Sequence, residues 1–413
     1  FFLFLGLSLF ACEADIPVPR LTENDQTQVL TKELTTYTTP LSDLSAFDYL
    51  ADAQVTGLGE ATHGTHEFFT FKHELFRYLV EEHGYRALVF EIDFAEALLF
   101  DDYVRRGKGT PEQLMQDHMY LWLWQTQEIR DLLLWMRDFN RGRAASDQVR
   151  FLGNDAQTTR YNARALHERI LAQDPALAAE VWSLTKRYRQ LDRTTYRQAG
   201  EELHQRIVRE LRTVQALVAA ENDVLLDQLS QNLLATEALL WAELQRPYVN
   251  RRDLRMAINT QWWAEHLGVK TVVWAHNLHV GDHPTLLNSG AMGSYLKDVY
   301  GVGYQSIGFS FSQGRFLARD GTGALSTHSI NYPPAENTIH YHFDKVDTER
   351  FFLRLADLPQ QSMTMRLLKR GPRWYTVGAS FLNRPLLVAL DFDGIVHFQG
   401  TAAAKRLSAS RRE

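Results

Sequence analysis

Between Gln54 and Asp93 the chain spells out one complete structural unit. A short apolar run, "QVTGLGE", is followed by a stretch in which Phe68, Phe71, Leu75 and Leu79 recur at helical spacing. Gly84 then stands where a helix C-cap glycine belongs, and "RALVFEID" follows as a continuous apolar run. A strand that returns through a helix to a second strand enters its sheet parallel, because a hairpin cannot make that connection. The chain is therefore expected to build a parallel sheet.

The same grammar continues downstream. "PLSDLSAFDYLAD" before the unit reads as a short helix with an entry turn, "TQEIRDLLLWMRDFNRG" as an amphipathic helix, and "VRFLGND" as another strand. From about Tyr161 to Leu267 the pattern is almost wholly helical, with long charged faces and few glycines. Strands resume at "VKTVVWAHNLHV" and run on through "YQSIGFSFSQGRFLA", "PRWYTVGASFL" and "PLLVALDFDGIVHFQ". The expected fold is α/β: a central, largely parallel sheet flanked by helices, with a large helical subdomain. Its sheet comes from residues 40–160 and 269–400, the subdomain from 161–268, and 401–413 is a basic, fraying tail. At 413 residues with 45% apolar content the chain can bury a core of that size.

The N-terminus reads differently. "FFLFLGLSLFAC" is too short to span a bilayer comfortably and ends at Cys12, the one cysteine of the chain, so residues 1–12 read as an export signal. The "LFAC" end resembles a lipobox, which implies a lipidated Cys12 as mature N-terminus, a tether over residues 13–39, and a membrane-anchored lipoprotein facing the periplasm or cell surface. With no cysteine after the leader, neither a disulfide nor a cysteine nucleophile is available. Lys+Arg 44 against Asp+Glu 50, without a basic stripe, argues against a nucleic-acid partner.

Chemistry gathers at the strand ends. Glu60 and His63, Glu91, Asp155, and the pair His276 and His279 each fall at or just past the C-terminal end of an expected strand. In open α/β sheets that edge is where ligands bind, so residues distant in sequence are expected to meet there. Several familiar machineries are missing: no Gly-x-Ser-x-Gly elbow, no phosphate-binding P-loop and no dinucleotide fingerprint occurs. "HGTH" and "HNLH" are His-x-x-His pairs that can chelate a divalent metal, but neither extends to His-Glu-x-x-His. What remains is general-base chemistry: His63 takes a proton from water, Glu60 or Glu91 orients the imidazole, and a cation meets the oxyanion. Lys72, four residues after Phe68, borders the apolar face of its helix and is a candidate to point inward.

At this point "GLGEATHGTHEFFTFKHELFRYLVEEHGYRALVFEID", "LWQTQEIRDLLLWMRDFN", "VRFLGND", "RRDLRMAINTQWW", "VVWAHNLHV" and "LDFDGIVHF" together resemble the successive blocks of the erythromycin esterase family. The resemblance implies an α/β sheet with a prominent helical part, a deep cleft, and hydrolysis of an ester or lactone by direct attack of water without a covalent intermediate; no cofactor is expected, a divalent metal at the His pairs staying open. It implies His63 as base, Glu60 and Glu91 as cleft carboxylates, and His276 and His279 as the cleft histidines. Lys72, Thr62, Asn277, Trp124 and Asp155 are the candidate substrate contacts, Lys72 standing where the macrolide esterases have arginine. The "GEATHGT" stretch, at Ala61, Thr62 and Gly64, resembles the broad branch of the family and not the resistance enzymes, so a macrolide substrate is not implied. Two other readings stay open: a non-hydrolytic protein that binds a polar small molecule or glycan, stacking it on Trp122, Trp124, Trp262 and Trp263, and a metal-dependent hydrolase using the His pairs.

Overall fold

The computed structural model describes residues 23–407 except 120, 192, 245–250, 283–289, 337, 372, 382–385 and 390. Cys12 and the expected leader lie outside the described residues, as does the end of the tail from 408.

Eleven strands are described: β1 (Thr38–Pro40), β2 (Val55–Leu58), β3 (Ala87–Asp93), β4 (Arg150–Asp155), β5 (Thr271–Trp274), β6 (Tyr304–Arg319), β7 (Leu325–Ile330), β8 (Arg350–Arg354), β9 (Arg373–Thr376), β10 (Leu386–Ala389) and β11 (Gly394–Thr401). Nine of them form one sheet in the order β1-β8-β11-β6-β2-β5-β3-β4, with β7 added to β6, while β9 and β10 pair separately. The six strands from β11 to β4 run parallel. Antiparallel pairing is confined to β1 with β8, β8 with β11, and β7 with β6. The expected α/β class is thus the observed one. β2 and β3 are parallel as the repeating unit demanded, but β5 lies between them.

Unbroken apolar runs in the sequence have a simple cause. In β3, Leu88, Phe90 and Ile92 belong to the core on one face of the sheet, whereas Ala87 and Val89 belong to the core on the other. Both faces are dry because helices cover both. The His66–His83 and Gln127–Asn140 helices contribute Phe69, Phe76, Ile129 and Leu133 to the first core. The second is covered by the helices that link β4 to β5, among them Asn162–Leu171, Arg193–Ala219, Val224–Leu244 and Arg252–Leu267. Gly84, at φ 72°, closes the His66–His83 helix as its sequence position predicted.

Two ends of the chain differ from expectation. The tether assigned to residues 13–39 is, from Glu23, a helix, Glu23–Tyr37, that buries Leu30 and Leu34. Its Glu33 carboxylate accepts the Met363 and Thr364 N–H groups, capping the Met363–Lys369 helix. Likewise the start of the expected tail is docked, not frayed: His66 N–H donates to Ala402 O, Ala404 N–H to Gly64 O, and Leu407 N–H to Gln125 O.

Candidate active site

β2, β5, β3 and β4 are consecutive in the sheet, so their C-terminal ends form one edge, and the polar residues of all four meet there. The loop after β2 carries Glu60 and His63 and is tied from several sides. Gly59 N–H donates to Ile307 O (2.8 Å), Asn277 N–H to Glu60 O (2.9 Å), Val377 N–H to Ala61 O (2.8 Å) and Leu317 N–H to Gly64 O (2.9 Å). Its glycines permit that crowding: a Cβ on Gly59 would collide with Asn277 Oδ1, and one on Gly64 with the Leu317 backbone.

Glu60 is fully buried and its two oxygens are divided. Oε1 lies 2.8 Å from His63 Nδ1, while Oε2 accepts from Lys72 Nζ (2.5 Å) and Trp274 Nε1 (3.1 Å). This fixes the proton of a neutral His63 on Nδ1 and leaves Nε2 as the basic nitrogen. The His63 side chain is 8% exposed, its ring edge-on to Trp124 at 5.4 Å and 4.7 Å from the His276 ring. Lys72 has no solvent contact, and its Nζ sits 4.2 Å from the centroid of the Trp274 ring. Burial holds that ammonium down to about 8, although Glu60 beside it opposes the shift.

A second group adjoins the first. Arg252 donates from Nε and Nη2 to Asp155, with a closest approach of 2.7 Å, and from Nη2 to Glu91 Oε1 at 2.9 Å. Glu91 Oε2 accepts the His276 N–H at 2.9 Å. Burial opposes ionisation of Glu91, but His279 and Arg252 outweigh it and hold the carboxyl well below the usual range. His279 lies between two acids, with Nδ1 2.5 Å from Asp253 Oδ1 and Nε2 3.4 Å from Glu91 Oε1. Arg252 Nη1 is also 3.1 Å from Nε2, a contact that is a hydrogen bond only when Nε2 carries no proton. Burial and Arg252 favour the neutral ring, yet the two carboxylates prevail and push His279 up to about 10.

His276 plays a different part from its neighbour. Its Nδ1 accepts the Leu278 N–H (3.2 Å) and its Nε2 lies 3.3 Å from Val377 O, so both nitrogens are used by backbone. Burial keeps it neutral, its pKa well below the usual histidine value. The structure therefore gathers Glu60, His63, Glu91, His276 and His279, with His276 placed as a scaffold against His63.

The five expected substrate contacts all turn inward: Lys72, Thr62, Asn277 and Trp124 have no exposed surface and Asp155 is 1% exposed. Thr62 bonds Thr65, and Asn277 clamps both the N–H and the carbonyl of Phe309. Asp155 is consumed by Arg252, Gln157 and the Ala156 N–H. Trp124 donates to Glu91 O and backs His63, leaving no face for a ligand. Trp263 is likewise core, stacked on Phe94. These side chains build the site and do not line it.

Nor do the His-x-x-His pairs chelate. His66 turns away from His63 to bond Glu128 at 2.6 Å, and the nitrogens of His276 are occupied by backbone. Among the described residues no three His, Cys, Asp or Glu side chains converge as metal ligands.

Sequence reasoning passed over Arg252, Asp253 and the side chain of Asp93. Arginine in the first turn of a helix opposes the macrodipole unless acids surround it, and "RRD" at the start of the Arg252–Leu267 helix carries that signal. Asp93 accepts the Ala95 N–H at 3.0 Å and faces Asn162. Burial, with Asp155 beside it, pushes Asp93 up to about 8.

Comparison with known proteins agrees with this architecture. The sequence model of the erythromycin esterase family matches residues 80–401. Erythromycin esterase type II of Escherichia coli is 24% identical over 306 residues, covering 65% of this chain and 71% of that protein. The putative hydrolase YbfO of Bacillus subtilis (strain 168) is 22% identical over 395 residues, covering 84% and 83%. A Bacillus cereus protein of known crystal structure superimposes with TM-score 0.81 at 27% identity, over 92% of this chain and 99% of its own. An erythromycin esterase mutant in its open conformation gives 0.65 at 18% identity, covering 90% and 98%, which shows the fold alone. With the family model matching residues 80–401, which carry Glu91, Asp155, Arg252, His276 and His279 but not Glu60 and His63, the chain belongs to the erythromycin esterase family and is a hydrolase.

Proposed function

We propose that the protein hydrolyses a carboxylic ester or lactone by direct attack of water, with His63 as general base. The observation that carries this reading is the Glu60–His63 pair. A carboxylate anchored by Lys72 and Trp274 holds Nδ1, and among the described residues no protein group bonds Nε2. No serine, threonine or cysteine of the described residues bonds His63 either, so water is the natural nucleophile. His63 Nε2 takes one proton as the water oxygen joins the carbonyl carbon and the π electrons move to the carbonyl oxygen. A cation at the edge of the site meets that oxyanion. When the electrons return, the bond to the alkoxide breaks, and the proton held by His63 passes to the leaving oxygen. An acid and an alcohol result.

A panel of aryl esters, lactones and macrolides, followed by mass spectrometry of quenched enzyme, tests the reading. Turnover without a covalent adduct is expected; an acyl-enzyme would contradict direct attack. We also propose that the chain is exported and anchored through Cys12, on the strength of the "LFAC" stretch; a native N-terminal peptide lacking lipid on Cys12 would refute this.

A further inference from the structure

The cation that an oxyanion would meet is not evident from charge counting. Lys72 is sealed beneath the site and paired with Glu60. Arg252 divides its charge between Asp155 and Glu91. His276 is neutral, both nitrogens bound. Of the cationic groups gathered here among the described residues, His279 remains, its side chain 14% exposed, and its state is contested. Arg252 Nη1, 3.1 Å from Nε2, favours a neutral ring that accepts a hydrogen bond; Asp253 and Glu91 favour the imidazolium.

Resting on the hydrolytic reading above, we propose that Asp253 is a positioning residue that keeps His279 protonated as the imidazolium serving the oxyanion. The geometry separates the two acids. Glu91 is 3.4 Å from Nε2 and shares its oxygens with Arg252 Nη2 and the His276 N–H, whereas Asp253 Oδ1 is 2.5 Å from Nδ1. Asp253 is 1% exposed and stands at the start of the Arg252–Leu267 helix, where the Met292 N–H also points to Oδ1 at 3.4 Å. Among the described residues, the charged and titratable groups about the ring are thus Glu91 from β3, Arg252 and Asp253 from that helix, and His276 on its own turn. Removing the Asp253 charge takes away the nearer of the two carboxylates that favour the imidazolium, and the ring moves toward its neutral form. That two carboxylates push His279 up to about 10 agrees with this arrangement. His279 keeps its proton throughout the reaction, so the proton balance written for His63 is unchanged.

The test combines a titration with kinetics on the full chain. In ¹⁵N-histidine-labelled protein, the His279 ring of the wild type should stay protonated from pH 7 to 9. Asp253→Asn should lower its titration midpoint by at least about one unit and cut kcat about 10²-fold, with KM little changed. The alkaline limb of the pH–rate profile should move down with it, and Asp253→Glu should restore part of both. A wild-type His279 that is neutral at pH 7 overturns the proposal. So does an Asp253→Asn protein whose His279 midpoint and profile are unmoved. If Asp253→Asn does not fold, the wild-type titration decides alone. That titration needs no substrate, so it separates failure of this assignment from failure of the esterase reading.

Discussion

Lys72→Met should cost stability out of proportion to its size. The Lys72 and Glu60 side chains are both without solvent contact, and Nζ is 2.5 Å from Oε2. Methionine fills a similar volume against Trp274 and Phe309, whose rings lie 4.2 and 5.6 Å from Nζ, so little packing is lost. What is lost is the counter-charge of a buried carboxylate. Breaking such a pair from one side costs about 3–5 kcal/mol, because the remaining ion is uncompensated, whereas replacing both ions is often near neutral. The expected pattern is therefore a large loss for Lys72→Met and recovery of most of it in Lys72→Met with Glu60→Gln. Activity should not recover with stability, since glutamine cannot steady the imidazolium of His63. Chemical denaturation at pH 7 gives the first quantity and ester turnover the second. A loss under about 1 kcal/mol for the single variant would refute the reasoning about the pair. Full turnover by the double variant would refute the role of Glu60.

Asp93 offers a test of linkage, its pKa being raised from 3.8 to about 8. A carboxyl raised on folding contributes stability that is fully present below the unfolded value and is lost as pH climbs through the folded one. Asp93→Asn removes that dependence, so the variant should gain on wild type between pH 5 and 8 by a few kcal/mol, on the order given by about 1.4 kcal/mol per unit; urea titrations at the two values check it, and a gain by wild type would mean an ionised, paired Asp93. Gly64→Ala sets a Cβ into the Leu317 backbone and should cost about 1–3 kcal/mol in thermal unfolding while depressing turnover through the displaced His63. Unchanged melting and activity would show that the approach of β6 to this loop is not tight.

Much of this site was legible in the chain because strand ends are. Val55–Leu58, Ala87–Asp93, Arg150–Asp155 and Thr271–Trp274 are short apolar runs with polar residues at or just past their C-termini, and parallel strands put those ends on one edge. Strand order was not legible: β5 enters between β2 and β3 through register with both, which no local pattern encodes. Side-chain direction was also hidden. Thr62, Asn277 and Trp124 are the polar and aromatic types that touch substrates, but they are equally the types that satisfy buried backbone, as Asn277 does for Phe309. Arg252 and Asp253 escaped because charges in the first turn of an amphipathic helix look like a solvated face. Residues 402–407 escaped because backbone hydrogen bonds do much to hold them, and these leave no pattern of side chains.

The central claim is that His63, oriented by Glu60, removes the proton from attacking water. The most direct measurement is the turnover of His63→Ala on an ester that the wild type hydrolyses, with affinity for a non-hydrolysable amide analogue measured in parallel. Loss of a general base should lower kcat by about 10²–10⁴-fold and leave the affinity within a few-fold, because the role lies in the transition state. A His63→Ala protein that turns over at the wild-type rate would contradict the account.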